Sequence, residues 1–137
     1  MTSSDERQAT LLVVDDEPAI VRMLVEALNG PELSVLTATR GDKAIEMYRQ
    51  HLGKIDLVLL DLQMYPLNGL QLLAELRRID PHVRVAFMSG SPSEGPVAEM
   101  AEAGVVSVFS KPFLSLTELA ASLGELVRGP SSIVIGQ

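Results

Sequence analysis

The chain has no cysteine, which excludes disulfides, thiolate metal sites and cysteine nucleophiles and leaves the redox compartment open. Positive charge is scarce: 11 Lys and Arg stand against 18 Asp and Glu, a formal net charge of −7. Nucleic acid and anionic membrane surfaces both require clustered Lys and Arg, so neither is an expected partner. No apolar run approaches the roughly 18 residues of a membrane-spanning helix. The start, Met1-Thr2-Ser3-Ser4-Asp5-Glu6-Arg7, lacks the basic-then-apolar layout of a signal peptide. A soluble cytoplasmic protein is the expectation. Hydrophobic residues make up 47% of the 137 positions, too many for a disordered chain, and the length suits one domain.

What is present is organised around Ile55-Asp56-Leu57-Val58-Leu59-Leu60-Asp61. Apolar residues on consecutive positions predict a strand buried on both faces, as in a parallel sheet covered by helices. An acid has no place inside such a strand, so Asp61 is expected at its carboxyl end, the edge where open parallel sheets bind ligands. Leu11-Leu12-Val13-Val14 is a second such run and stops at Asp15-Asp16-Glu17. Ser34 to Thr39, Arg84 to Met88 and Val105 to Phe109 read as further strands.

Helices are predicted between the strands. The first opens at Pro18 after an acidic cap, carries Ile20, Val21, Leu24, Ala27 and Leu28 on its apolar face, and stops at Asn29-Gly30-Pro31. The second opens at Gly41-Asp42 with Ala44, Ile45 and Tyr48 inward. The third runs from about Leu70 to Ile79 with Leu70, Leu73, Ala74 and Leu76 as its stripe. Ser91-Pro92-Ser93-Glu94 and Ser115-Leu116-Thr117-Glu118 have capping-box spacing, opening a fourth helix to about Gly104 and a fifth to about Arg128. Leu116, Leu119, Ala120, Leu123 and Leu126 form the stripe of the fifth.

Strand and helix alternating five times predict a doubly wound α/β domain with a five-stranded parallel sheet, for which the flavodoxin-like order 2-1-3-4-5 is one of the two common solutions. The domain is expected over residues 10–128, with a frayed start at 1–9 and a short tail or the start of a linker at 129–137. His51 and His82 are read as surface residues, and Met47 as core filler.

On this topology Asp15 and Asp16 follow the first strand, Asp61 ends the third, Ser89 ends the fourth and Lys111 follows the fifth, all on one edge. A single acid at a strand end is usually a cap or turn former; polar groups from four strands meeting at one edge have no such explanation. Three carboxylates at close range repel one another unless compensated, and a hard divalent cation with the Lys111 ammonium would offset them. An oxygen-only ligand set suits Mg²⁺. A hard metal, a lysine, a hydroxyl and a spare carboxylate are the parts needed to move a phosphoryl group onto an aspartate.

Val13-Val14-Asp15-Asp16-Glu17, Leu59-Leu60-Asp61-Leu62-Gln63-Met64 with Asn68-Gly69, Met88-Ser89-Gly90 and Lys111-Pro112-Phe113 together resemble the signature of receiver domains of bacterial two-component response regulators. The resemblance implies that Asp61 is the phosphoacceptor, supplied by a histidine kinase, a phosphotransfer protein or a small phosphodonor. It implies Mg²⁺ as cofactor, held by Asp15, Asp16, Asp61 and the backbone carbonyl of Gln63. Ser89 is implied as the switch hydroxyl and Lys111 as the lysine that pairs with the phosphoryl group. The implied role is a signalling switch, not an enzyme in the usual sense, whose downstream target or second copy binds the face of the fourth helix, fifth strand and fifth helix. A chain of this length leaves no room for an output domain, and is read as a single-domain regulator or a fragment of a larger one.

Three positions depart from the family's usual pattern. Tyr65 stands where a proline commonly follows the methionine. Val108 stands where an aromatic commonly swings with the switch hydroxyl, and Phe109 beside it faces the other side of the sheet. Activation is therefore expected to run through Ser89 and the loop to Ser93. Val105 and Val106 occupy a stretch that is often polar, and either enlarge an apolar partner face or pack in the core. Two other functions fit the fold. A phosphorylation-independent interaction module would commonly have lost one of the acid, hydroxyl or lysine positions. A metal-dependent phosphatase of the haloacid dehalogenase kind would place a second Asp two residues after Asp61, where Gln63 stands.

Overall fold

A computed structural model describes residues 8–64, 66–90, 105–111, 113 and 115–128. The strands are β1 (Ala9–Val14), β2 (Leu33–Ala38), β3 (Leu57–Asp61), β4 (Val85–Ser89) and β5 (Val105–Ser110). The described helices are α1 (Pro18–Leu28), α2 (Gly41–Gln50), α3 (Gly69–Ile79) and α4 (Leu116–Arg128). The last of these is the fifth helix of the sequence prediction; the helix expected from Ser91 lies outside the described residues, as does Tyr65.

The sheet is parallel, with strand order β2-β1-β3-β4-β5. Consecutive apolar residues divide between two cores, as expected for strands covered on both faces. In β1, Leu12 and Val14 face one side with Val58 and Leu60 of β3, against Ala44 and Tyr48 of α2 and Leu72, Leu73 and Leu76 of α3. Leu11, Val13, Leu57 and Leu59 face the other, against Leu24 and Leu28 of α1 and Leu119, Leu123 and Val127 of α4. All five residues of β3 are buried. Truncating Leu59 or Leu60 to alanine would cost about 2–5 kcal/mol, through lost transfer energy and the cavity left behind.

The helix stripes depart from prediction in places. In α3, Leu70 is 41% exposed and Ala74 is also exposed, while Leu72 joins Leu73 and Leu76 inside. Leucines at 70, 72, 73 and 76 define two overlapping helical stripes, and the orientation is chosen at the helix start. There Gly69 packs so closely that a Cβ on it would lie 2.8 Å from Phe87 Cε1 and 2.9 Å from Leu62 Cα. Asn68 and Gln71 complete a reciprocal capping box at this end, fixing the first turn. Ala27 of α1 is exposed, and in α4 Val127 is buried where Leu116, Ala120 and Leu126 are only partly so. His82 is exposed, but His51 is half-buried, its Nδ1 2.9 Å from the Met47 carbonyl oxygen.

β5 contains an irregularity: Val85 pairs with Val105, yet Ala86 pairs with Ser107. The extra residue puts Val105 and Val108 on one face and Val106 and Phe109 on the other, the two-against-one count of a β-bulge. Val105 and Val106 are 1% and 3% exposed, so they belong to the core and not to an apolar partner surface. Val108 is half-buried in the α2–α3 layer, beside Phe87 in register.

Candidate functional site

The acids at the carboxyl edge are placed by two similar turns. Asp15 directly follows β1, and its Oδ1 accepts the Glu17 backbone N–H at 2.9 Å. Asp61 ends β3, and its Oδ1 accepts the Gln63 backbone N–H at 3.0 Å. Each is a side-chain-to-backbone bond two residues on, of the kind by which aspartate ends a strand and starts a turn. Val14 lies opposite Leu60 in the β1–β3 ladder, so the two acids that follow stand side by side. Each presents its remaining oxygen, Oδ2, to the same cation: Lys111 Nζ is 2.9 Å from Asp15 and 3.4 Å from Asp61.

Lys111 is brought over by β5. Ser110 pairs with Ser89, and the Lys111 backbone N–H donates to the Ser89 carbonyl oxygen at 2.8 Å. Ser89 therefore ends β4 beside the lysine and is itself 1% exposed. The loop after Asp61 is pinned to its neighbours. The Leu62 N–H donates to the Met88 carbonyl oxygen at 2.8 Å and the Gly69 N–H to the Leu62 carbonyl oxygen at 3.0 Å. A Cβ on Gly69 would lie 3.0 Å from the Asp61 carbonyl oxygen, so only glycine lets α3 start this close to the acid.

Asp15, Asp16 and Asp61 each bring an oxygen within 4.8 Å of the others. Asp15 and Asp61 are buried, at 0% and 4% exposure, whereas Asp16 faces solvent. Three hard oxygen donors, one of them open to water, fit a Mg²⁺-sized cation that keeps part of its hydration shell. Gln63, expected to contribute its carbonyl, is the residue whose N–H holds Asp61 Oδ1.

The electrostatics reflect crowding. Burial, with the neighbouring Asp15 charge, pushes the Asp61 carboxyl above the usual carboxylate range, against the Gln63 hydrogen bond and Lys111. Burial works to lower the Lys111 pKa, but hydrogen bonds and charge from Asp15 and Asp61 outweigh it and raise the ammonium above its usual value. A fourth acid joins them: Glu17 Oε1 is 3.6 Å from Lys111 Nζ. Its position after Asp15-Asp16 was the only sequence signal for it, and that signal reads equally as a helix cap.

The structure thus brings together Asp15, Asp16, Asp61, Ser89 and Lys111 at one edge. The response regulator receiver domain family matches residues 11–123. Chemotaxis protein CheY of Bacillus subtilis is 33% identical over 106 residues, covering 75% of this chain and 85% of that protein. Transcriptional regulatory protein GlrR of Escherichia coli is 32% identical over 106 residues, 77% of this chain, which spans only 23% of that longer protein. Among solved structures, the CheX–CheY–BeF₃–Mg²⁺ complex of Borrelia burgdorferi contains a chain with a TM-score of 0.77 at 25% identity, covering 86% of this chain and 88% of that one.

Proposed function

The chain belongs to the response regulator receiver domain family of two-component systems, and from that premise we propose that Asp61 is the residue on which it accepts a phosphoryl group. The observation that carries this is Lys111 Nζ shared between the Oδ2 atoms of Asp15 and Asp61 within a three-carboxylate cluster. In the transfer, an Asp61 carboxylate oxygen forms the new P–O bond as the donor's bond to phosphorus breaks. From a phosphohistidine of a kinase or phosphotransfer protein, the imidazole nitrogen departs with the electron pair; from acetyl phosphate, acetate does. Water later cleaves the acyl phosphate to carboxylate and inorganic phosphate.

The chain's own groups have separable tasks. The Gln63 N–H fixes one oxygen of Asp61, which orients the other for in-line attack. Lys111 sits within reach of Asp61 Oδ2 and would turn from the carboxylates to the arriving phosphoryl oxygens, whose charge it neutralises. The Ser89 hydroxyl would donate to one of those oxygens and draw β4's end and the following loop towards the site. Asp15, Asp16, Asp61 and the Gln63 carbonyl would hold Mg²⁺, which when bound offsets the carboxylate charge and that of the phosphoryl oxygens. With Val108 packed in the α2–α3 layer and Phe109 on the opposite face, the signal passes outward through Ser89 without an aromatic switch. The partner face of β5 and its flanking helices is part of the same proposal.

The test is an NMR titration with Mg²⁺ and beryllofluoride, a phosphoryl mimic. Wild type is expected to shift at residues around Asp61, Ser89 and Lys111, and Asp61→Asn is expected not to. Equal shifts in both proteins would remove Asp61 from the role.

A further inference from the structure

Glu17 is the N-cap residue of α1, yet its side chain makes no capping hydrogen bond. The side chains that cap from that position are the short ones of Ser, Thr, Asp and Asn; the longer glutamate side chain can reach beyond its own helix end. Here the carboxylate leans over the phosphoacceptor edge, with Oε1 3.6 Å from Lys111 Nζ and the side chain 64% exposed. Lys111 is nearer to Asp15 and Asp61, at 2.9 and 3.4 Å, so its single charge is already engaged. A divalent cation together with Lys111 would balance Asp15, Asp16 and Asp61; Glu17 is then the charge left over. It stands in solvent beside Lys111, where an incoming phosphoryl group must arrive.

We propose that Glu17 is a charge filter, a specificity-determining residue that slows phosphorylation of Asp61 by small, free, highly charged phosphodonors. The proposal rests on the reading of Asp61 as phosphoacceptor. A free dianion meets the Glu17 charge with nothing to hold it in place. A phosphoryl group carried on a partner protein is positioned by the rest of that interface, so the same repulsion disfavours it less. Repulsion between exposed charges in a nearly aqueous medium, partly screened by salt, amounts to about three- to tenfold in rate for a dianion. It scales with the donor's charge, so a donor of net charge −1 should feel about the square root of that factor.

The experiment compares wild type, Glu17→Gln and Glu17→Asp with two probes, acetyl phosphate and phosphoramidate, at Mg²⁺ saturating for each protein. Acetyl phosphate is a dianion at neutral pH. Phosphoramidate is a zwitterion of net charge −1, and its P–N bond breaks with ammonia leaving. The readout is the rate of Asp61-dependent phosphoryl gain by intact mass at low and high salt. Glu17→Gln is expected to react about three- to tenfold faster with acetyl phosphate and about two- to threefold faster with phosphoramidate, both advantages shrinking with salt. Glu17→Asp keeps the charge and should keep the wild-type donor ratio. Reaction of Glu17→Gln where wild type is silent would be the strong form of this result. If wild type and Glu17→Gln both gain phosphoryl with the same donor ratio, or with a difference that salt does not change, the filter is wrong and the receiver reading stands. If neither gains it from either donor while a kinase phosphohistidine still supplies it, removing Glu17 admits nothing and the filter is wrong; if the kinase phosphohistidine fails as well, the receiver reading itself falls.

Discussion

The two edges of the sheet both bury charge, and they do so differently. At the amino edge, Asp56 precedes β3 and Arg84 precedes β4. Asp56 Oδ2 accepts the Thr10 N–H at 2.8 Å while the Asp56 N–H donates to the Thr10 carbonyl oxygen at 2.8 Å, joining the start of β3 to β1. Arg84 donates through Nη1 to the Leu126 carbonyl oxygen in the last turns of α4. Burial lowers its pKa, with the Asp56 charge acting in the opposite direction. Asp56 and Arg84 there are each used to tie elements together, and Glu32, before β2, is paired with Arg128 at 3.2 Å. At the carboxyl edge, Asp15, Asp61 and Glu17 surround Lys111, the one cation paired with them among the described residues, and Asp16 adds a further carboxylate to the cluster. Buried charge that serves only the fold tends to come paired. The unbalanced edge is the one where a cation and a phosphoryl group are expected to act.

The largest break in this comparison is Lys111→Met. It leaves the buried Asp15 and Asp61 without their cation, which should lower stability by about 3–5 kcal/mol, measured by urea denaturation in EDTA. Added Mg²⁺ should recover part of that loss, because a ligand that binds only the folded state stabilises it. Gly69→Ala comes next. The new Cβ would press on Phe87, Leu62 and the Asp61 carbonyl, an overpacking that should cost about 1–3 kcal/mol in the same assay.

Asp61→Asn should act in the opposite direction. The folded-state pKa of Asp61 is raised, chiefly by burial, so its contribution to stability is present below the unfolded-state pKa and is lost as pH rises through the folded value. Without Mg²⁺, Asp61→Asn should therefore be more stable than wild type at pH 7, with the gap closing as pH falls through the carboxylate range. Denaturation midpoints across pH check this. Arg84→Met should be the mildest. It loses the Leu126 bond, but it also removes a guanidinium whose Nε and Nη2 are buried without a hydrogen-bond partner among the described residues. Its stability should fall within about 1 kcal/mol of wild type.

The five parallel strands and the convergence of Asp15, Asp61, Ser89 and Lys111 on one edge were legible in the sequence because both follow from local pattern, whereas the strand order was one of the two common solutions for such an alternation. Strands buried on both faces are apolar at consecutive residues, and a polar residue that interrupts such a run marks its end. What depends on contacts between distant segments was not legible. The rotation of α3, which exposes Leu70 and buries Leu72, is set by the approach of Gly69 to Phe87. The bulge that puts Val105 and Val108 on the same face is set by pairing with β4. Asp56 and Arg84 gave no motif, since each finds its partners on other elements. Glu17 satisfied the pattern of a helix cap, and only the position of Lys111 beside its carboxylate separates that role from the one proposed for it.

Covalent phosphorylation of Asp61 tests the central claim most directly. Incubated with Mg²⁺ and a phosphodonor, the wild-type protein should gain the mass of one phosphoryl group. The gain should be absent in Asp61→Asn and absent when EDTA replaces Mg²⁺. A gain that survives the Asp61→Asn substitution, or no gain in wild type from acetyl phosphate, phosphoramidate or kinase phosphohistidine alike, would contradict the account.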